Sequence, residues 1–297
     1  MGRLRRFIES RIPGVYVHSV MVGANPTLDT LHGYFGDVNA QVAEQCATLL
    51  AEPRLARGFY ALGFSQGSQF IRALTQRCGG GAVPGDGRLI VKRLVTMGGQ
   101  HAGVSDVPRC DAFDPGGSSD AGSAACRAAE AFVRAAAYAP FARSNVVQAQ
   151  YFRDPGRVSA YLASNPFLPD VNNELAEKSA SYRANLLALE RLVLIRFAND
   201  TIVVPRDSAW FGAYADGATP GGGGRVVEMR DSRAYAEDWI GLKTLDESGR
   251  LVMFDCPGEH MHFADAWFEE HVIDPHLRDD APPSAPGELR LVETLRR

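Results

Sequence analysis

Short apolar runs alternate with stretches of helical periodicity along most of the chain. The apolar runs predict strands at residues 14–20, 58–62, 89–97, 191–197 and 250–256. The periodic stretches predict helices at residues 39–52, 68–78, 178–190 and 264–273. Alternation of this kind is typical of an α/β fold with a mainly parallel sheet.

Residues 98–190 interrupt the alternation, because they contain no comparable strand run. An alanine-rich helical pattern covers residues 124–141 within this segment. A helical insertion between strands is where α/β enzymes build a lid and a substrate groove. We therefore predict one α/β domain over residues 1–278, with 98–190 as a helical lid, and a disordered tail over residues 279–297.

Composition narrows the class of protein. The 297 residues are 45% hydrophobic and carry a net charge of -4, with 31 Lys and Arg against 35 Asp and Glu. A globular domain without a basic surface is not expected to bind nucleic acid. No run approaches the roughly 18 apolar residues of a membrane span, and the residues given include no secretory leader. The sequence therefore predicts a globular protein with no membrane span and no secretory leader in the residues given.

The stretch GFSQG places Ser65 between Gly63 and Gly67, where a predicted strand gives way to a predicted helix. A sharp turn there forces the central residue into strained backbone torsions, and flanking glycines remove the Cβ atoms that would collide. The hydroxyl of Ser65 is then left exposed at the top of the sheet. Ser65 is the candidate nucleophile.

A serine hydroxyl needs an imidazole to accept its proton and a carboxylate to orient that imidazole. In α/β-hydrolases these groups follow in the order serine, acid, histidine, at the carboxyl ends of strands. Asp200 is the preferred acid because it follows the strand at 191–197 after only two residues. Asp207 and Asp255 remain alternatives, and Asp200 could instead be a turn residue.

His260 is the preferred base because it follows the strand at 250–256. His262 competes with it, although it lies nearer the final helix and could serve only to pack there. His101 follows another strand and is expected at the rim of the active site. Surface or packing roles are expected for the remaining histidines, which are His18, His32, His271 and His276. No short spacing of ligands indicates a metal site.

The five cysteines do not decide between an oxidising and a reducing compartment. Cys46 and Cys78 lie on the predicted helices on either side of Ser65, while Cys110 and Cys126 lie closer together in a loop-rich stretch. Both pairs could be disulfides, but five reduced cysteines in a cytosolic enzyme fit the spacing as well. Cys256 is left without a partner in either case.

Several longer stretches resemble one family, the palmitoyl-protein thioesterases of the lysosomal, type 1 kind. They are GFSQGSQFIRALTQRC, VTMGGQHAGV, QAQYFRDP, FANDTIVVP, SAWFGAY and GEHMHF, and the similarity runs from residue 1 to about 273. The resemblance implies an α/β-hydrolase that removes palmitoyl and other long-chain acyl groups from S-acylated cysteines of proteins or peptides. It assigns Ser65 as nucleophile, Asp200 as the orienting acid and His260 as the general base.

The same resemblance implies further properties. Cys46–Cys78 and Cys110–Cys126 match the disulfides of the family, and Asn199 lies in a matching glycosylation sequon. A lysosomal or secreted location follows, and neither a cofactor nor a metal is implied. An oxygen-ester lipase or an acyl-CoA hydrolase could use the same three residues.

One feature of the family is missing from the sequence given. A signal peptide and a strand ending in an HGMGD-like stretch would precede residue 1, and that stretch supplies one backbone N–H of the oxyanion hole. The other donor is the N–H of Gln66, which leaves the second donor unassigned. We therefore expect a gap between the strands at 14–20 and 58–62, with unpaired backbone groups. An amino-terminally incomplete chain is the preferred interpretation, and a natural protein that closes the sheet differently, or an inactive lipid-binding relative, is the alternative.

Overall fold

The computed structural model describes residues 2–106, 136–219, 224–278 and 290–296. Its strands are β1 (Tyr16–Ser19), β2 (Phe59–Ser65), β3 (Val91–Met97), β4 (Arg191–Phe197), β5 (Ala213–Tyr214), β6 (Val226–Val227), β7 (Leu251–Cys256) and β8 (Arg290–Arg296). Six of them form a parallel sheet in the order β1-β8-β2-β3-β4-β7. The other two, β5 and β6, form a small antiparallel pair.

Helices cover both faces of this sheet. They are α1 (Gly2–Arg11), α2 (Pro26–Tyr34), α3 (Val38–Ala51), α4 (Gln66–Cys78), α5 (Pro140–Asn145), α6 (Val158–Ser164), α7 (Leu168–Val171), α8 (Ala180–Leu187), α9 (Arg233–Ala236), α10 (Leu242–Glu247) and α11 (Asp265–Phe268). A π-helical segment, Glu269–Leu277, continues α11. The parallel sheet with its flanking helices has the predicted α/β-hydrolase architecture.

Two hydrophobic cores lie on opposite faces of the sheet, because successive side chains of a strand point to opposite faces. Along β2, Tyr60, Leu62 and Phe64 belong to one core, and Phe59 and Ala61 belong to the other. The first core is closed by α1 and the last helical segment, through Ile8, Ile12, Phe268, Val272 and Ile273. The second is closed by α3 and α4, through Val42, Leu49, Ile71 and Leu74. Burial on both faces explains why the strands read as continuous apolar runs.

The C-terminal segment fills the place where a gap was expected. Strand β8 lies between β1 and β2, pairs parallel with both, and buries Leu291 and Val292 on opposite faces. The prediction of a disordered tail over 279–297 is therefore wrong for residues 290–296, and residues 279–289 lie outside the described part of the chain. The prediction of unpaired backbone groups beside β1 and β2 is corrected for the same reason: β8 supplies the partners.

The insertion at 98–190 is helical where the structure describes it, with α5, α6, α7 and α8 between β3 and β4. Most of the alanine-rich pattern at 124–141 lies outside the described residues, as do Cys110 and Cys126. Cys46 on α3 and Cys78 at the end of α4 are joined by a disulfide. This bond fastens the two helices that pack beside β2.

Candidate active site

Ser65 stands at the junction of β2 and α4 in an unusual backbone conformation. Its φ of 47° and ψ of -129° lie in a region that non-glycine residues rarely adopt. A Cβ at Gly63 would lie 2.7 Å from the Ser68 Cα, so only glycine fits where the helix turns back over the strand. The turn therefore explains the glycine in the motif. Strained torsions of this kind often occur at functional sites.

Ser65, His260 and Asp200 form one continuous chain of hydrogen bonds. His260 Nε2 lies 2.9 Å from Ser65 Oγ, and His260 Nδ1 lies 2.7 Å from Asp200 Oδ2. An ionised carboxylate can only accept, so Nδ1 carries the proton and donates it to Asp200. Nε2 of the neutral ring is then the acceptor for the Ser65 hydroxyl. This is the geometry that activates a serine hydroxyl.

Asp200 is held by the backbone that follows β4. Its Oδ1 accepts hydrogen bonds from the N–H groups of Ile202 and Val203, both at 2.9 Å. Its side chain is 1% exposed and that of His260 is 10% exposed. The other oxygen is thus left for the imidazole, in a site that excludes most water.

The two alternative acids are engaged elsewhere. Asp255 accepts two hydrogen bonds from the Arg196 guanidinium, from Nε at 2.8 Å and from Nη2 at 3.0 Å. Asp207 pairs with Nη1 of the same arginine. Arg196 therefore binds both carboxylates, and neither is placed beside His260.

The loop after β7 presents His260 inward and His262 outward. The imidazole of His260 meets the edge of the Phe197 ring, with centroids 5.6 Å apart. A Cβ at Gly98 would lie 3.0 Å from His260 Cε1, so a glycine leaves room for the ring. The side chain of His262 is 76% exposed and faces Glu259. His262 therefore does not contact Ser65.

His101 does not line the rim of the site, although its position after β3 suggested that it would. Its side chain is fully buried, its Nε2 lies 3.0 Å from Thr96 Oγ1, and its ring stacks on Phe211 at 4.7 Å. Burial, with a smaller effect of the nearby Arg72, lowers the pKa of His101 well below its usual value. The neutral imidazole of His101 therefore has a packing role.

Arg72 fixes the position of the helix that follows Ser65. It is fully buried on α4 and donates to Asn172 Oδ1 at 2.7 Å and to the Val171 carbonyl at 3.1 Å. A longer contact of 3.4 Å reaches the His101 carbonyl. Burial lowers the pKa of Arg72 to about 9, which leaves it protonated at neutral pH. The arginine thus ties α4 to the insertion and to the loop after β3.

Gln100, beside His101, is the site residue that the sequence did not indicate. Its Nε2 lies 3.3 Å from Ser65 Oγ, and the residue is 4% exposed. A lone glutamine after a strand belongs to no motif of nucleophilic catalysis, so only tertiary proximity reveals it. In this stretch the sequence indicates the neighbouring His101 instead.

Gln66 begins α4 directly after Ser65. The first N–H groups of a helix have no intrahelical partner, and the helix dipole favours negative charge there. The side chain of Gln66 is held on both sides: its Nε2 donates to the Gly33 carbonyl at 2.9 Å, and its Oε1 accepts from the Tyr151 hydroxyl at 2.8 Å. The backbone N–H is thus fixed in place beside Ser65.

A small apolar cavity adjoins Gln66. It measures about 10 Å³ and is lined by Val38, Gln66, Gln69, Phe70, Val147, Tyr151 and Phe167. A larger cavity of about 200 Å³ lies beside β4, but none of Ser65, Asp200 and His260 lines it and its walls include Arg196, Asp207, Glu228 and Arg230. None of these three residues lines the smaller cavity either, but its wall is mostly apolar and includes Gln66, which follows Ser65 in the chain.

Three further predictions concern residues around this site. Asn199 is exposed beside Asp200, and its glycosylation stays a prediction. Cys256 is buried and is not disulfide-bonded to any described residue. Burial, together with the Asp255 carboxylate, raises the pKa of its thiol to about 12, which makes it a poor nucleophile at neutral pH. Among the described residues, no group of His, Cys, Asp and Glu could hold a metal ion.

Comparison with known proteins gives one consistent family. A family model described as palmitoyl protein thioesterase matches residues 1–260. Palmitoyl-protein thioesterase 1 of Caenorhabditis elegans is 40% identical over 261 residues, which are 88% of this chain and 80% of that protein. Palmitoyl-protein thioesterase 3 of Dictyostelium discoideum is 32% identical over 260 residues, with the same two coverages. Lysosomal thioesterase PPT2-B of Xenopus laevis is 38% identical over 109 residues, or 36% of each chain.

Proposed function

The chain belongs to the palmitoyl-protein thioesterase family and is a thioester hydrolase, and on that premise we propose that it removes long-chain fatty acyl groups from S-acylated cysteines by a Ser-His-Asp mechanism. The observation that supports this most is the unbroken hydrogen-bond chain from Ser65 Oγ through His260 to Asp200. It provides a nucleophile, a base and an orienting acid in one place.

In the first half of the reaction, Ser65 Oγ attacks the thioester carbonyl while His260 Nε2 takes the hydroxyl proton. The carbonyl π electrons move onto oxygen, and the Gln66 N–H stabilises the resulting charge. Collapse of the intermediate breaks the C–S bond and releases the cysteine sulfur as a thiolate, which takes the proton from His260 Nε2 and leaves the imidazole neutral. A thiol has a pKa near 8.5, so the thiolate leaves with little help from an acid.

In the second half, a water molecule gives its proton to His260 and attacks the acyl-Ser65 ester. Collapse of the second intermediate breaks the bond between the acyl carbon and Ser65 Oγ, and His260 returns the proton to the serine. An alkoxide is a far poorer leaving group than a thiolate, so this half depends more on the acid role of His260. Asp200 stabilises the imidazolium that forms in both halves.

The acyl chain is proposed to enter the apolar cavity beside Gln66. A cavity of about 10 Å³ holds no more than about one water molecule, so the chain must displace side chains as it enters. The insertion contributes Val147, Tyr151 and Phe167 to its wall, and the core contributes Val38 and Phe70. Because the wall is mostly apolar, apart from Gln66 and Gln69, long chains gain about 0.8 kcal/mol for each methylene that they bury, before the cost of ordering.

The substrates are proposed to be S-acylated proteins or peptides in a lysosomal or secretory compartment. The Cys46–Cys78 disulfide supports an oxidising environment, and several relatives are named as lysosomal thioesterases. Among the described residues, no helix has the length and apolar character needed to cross a membrane.

The test compares two aspartate variants on a palmitoylated peptide thioester. Asp200→Asn should lower kcat by roughly 10⁴-fold, because the asparagine amide holds His260 in the wrong tautomer. Asp255→Asn is the matched control: it is isosteric, lies near the end of the neighbouring strand β7 and is paired with Arg196, so kcat should stay within threefold of the parent. Equal effects of the two changes would contradict the assignment of the acid.

Substrate class is tested with the parent enzyme on three acyl donors of one chain length. We expect kcat/KM to be highest for the palmitoyl peptide thioester, lower for palmitoyl-CoA and lowest for an oxygen ester. Preference for the oxygen ester would make the protein a lipase, and preference for the CoA thioester would make it an acyl-CoA hydrolase. Either result would overturn the proposed substrate while leaving the triad in place.

A further inference from the structure

Gln100 makes a direct contact with the nucleophile that the triad does not require. It lies in the loop after β3, and its Nε2 is 3.3 Å from Ser65 Oγ. Among the described residues, the hydrogen bonds of this oxygen go to His260 and to Gln100. The amide therefore stands within one hydrogen bond of the reacting centre.

The orientation of the Gln100 amide follows from proton counting. A serine hydroxyl has a single hydrogen, and the Ser65 hydrogen is donated to His260 Nε2. The serine oxygen can then only accept further hydrogen bonds, so the Gln100 atom that faces it must be the NH₂ group. A carbonyl in that place would meet another lone pair.

Gln69 fixes the loop that carries Gln100. Its Oε1 accepts the Gln100 backbone N–H at 3.1 Å, from a position on α4 one turn beyond the nucleophile. The Gln100 Oε1 and Gln69 Nε2 atoms are buried and have no partner among the described residues. Buried polar atoms without partners are uncommon in folded proteins and call for an explanation.

We propose that the side-chain amide of Gln100 is the second donor of the oxyanion hole, a role that rests on the proposed acyl transfer from Ser65. In the tetrahedral intermediate, Ser65 Oγ and the oxyanion are bonded to the same carbon. Oγ has become an ester-like oxygen and a weak acceptor, while the neighbouring oxygen carries the full charge. A small rotation moves the Gln100 N–H from Oγ to the oxyanion, opposite the fixed N–H of Gln66.

Both donors of this assignment, the Gln66 N–H and the Gln100 side-chain amide, lie in the described part of the chain. Side-chain amides can stabilise oxyanions in acyl transfer, and removing one such donor typically costs 10² to 10³ in turnover. Gln69 acts as a positioning residue, since it touches the loop and not the reacting atoms. The proton, the leaving sulfur and the water follow the same course as in the proposed function.

The first experiment replaces Gln100 by methionine, which keeps the length of the side chain and removes the donor. For Gln100→Met we expect kcat/KM to fall about 100-fold, with the loss in kcat and not in KM. Gln45→Met is the matched control, because Gln45 is equally buried at 4% but donates to the Met21 carbonyl, away from Ser65. It should keep kcat/KM within threefold of the parent.

A second measurement separates a catalytic role from a structural one. A palmitoyl trifluoromethyl ketone, which forms a tetrahedral adduct with Ser65, should lose affinity for Gln100→Met by the same factor as kcat/KM. A non-hydrolysable thioether of equal chain length should bind parent and variant alike. Equal loss for both ligands, or kcat/KM within threefold of the parent, would overturn the proposal.

The substrate proposal can fail without affecting this test. If the parent cleaves a palmitoyl oxygen ester but no thioester, the substrate is wrong, yet the same tetrahedral oxyanion forms on Ser65. The Gln100→Met comparison is then made on the oxygen ester, with the same expected loss and the same outcome that would overturn it.

Discussion

The place of the C-terminal strand in the sheet predicts a large difference between two chemically identical substitutions. Val292 on β8 is completely buried, whereas Val83, in the loop between α4 and β3, is 59% exposed. Changing valine to alanine removes two methyl groups, worth about 1.6 kcal/mol of transfer free energy when they are buried. The cavity left behind raises the cost of Val292→Ala to about 2 to 3 kcal/mol. Val83→Ala should change the free energy of unfolding by no more than about 0.5 kcal/mol.

Thermal unfolding followed by far-UV circular dichroism measures this difference. At roughly 2 to 4 °C for each kcal/mol, Val292→Ala should lower Tm by about 4 to 12 °C, while Val83→Ala should lower it by less than about 2 °C. Urea titrations at 25 °C give the free energies directly. If both variants unfold at the temperature of the parent, β8 does not occupy the centre of the sheet, and the closure of the gap between β1 and β2 is refuted.

Three further outcomes follow from buried groups elsewhere. Arg72→Met should lower the free energy of unfolding in urea by about 1 to 3 kcal/mol, because it leaves the buried Asn172 Oδ1 without its donor and removes one of the two donors to the Val171 carbonyl; a change below about 0.5 kcal/mol would show that the contacts do not form. Burial, with nearby Arg191 and Arg93, lowers the pKa of His276 to about 4. Because the unfolded chain then takes up a proton at higher pH than the folded protein does, the free energy of unfolding should decrease as pH falls from about 6.5 to 4. His276→Phe should reduce that decrease between pH 7.5 and 5, and an unchanged pH profile would contradict the lowered pKa of His276. Replacing both cysteines of the α3–α4 disulfide by alanine should lower the free energy of unfolding in urea by about 3 to 4 kcal/mol, because the bond closes a loop with a sequence separation of 32. An unchanged free energy of unfolding would show that the bond is absent in solution.

The local features of the fold could be predicted from the sequence. Strands such as the one at 191–197 and helices such as the one at 39–52 are marked by continuous apolar runs or by helical periodicity, both of which are short-range signals. Ser65, Asp200 and His260 could be selected because parallel strands bring their carboxyl ends to one edge of the sheet. The structure brings these three side chains together.

Two features could not be predicted, because they depend on contacts between distant parts of the chain. Residues 290–296 follow a proline-rich stretch and look like the end of a tail; only the unpaired edges of β1 and β2, more than 200 residues earlier, make them a strand. Gln100 likewise has no local signal, since a glutamine beside a buried histidine fits many loops. Its role depends on the 3.3 Å contact with Ser65, which the fold alone creates.

The central claim, covalent catalysis by Ser65, is tested most directly by trapping the acyl-enzyme. The parent is mixed with excess palmitoylated peptide thioester, quenched in acid within the first turnovers, digested and mapped by tandem mass spectrometry. Because the second half of the reaction has the poorer leaving group, we expect a palmitoyl ester to accumulate on Ser65, and the Ser65→Ala variant should give neither adduct nor turnover. Steady turnover without an adduct on Ser65, or a palmitoyl thioester on Cys256, would contradict the mechanism.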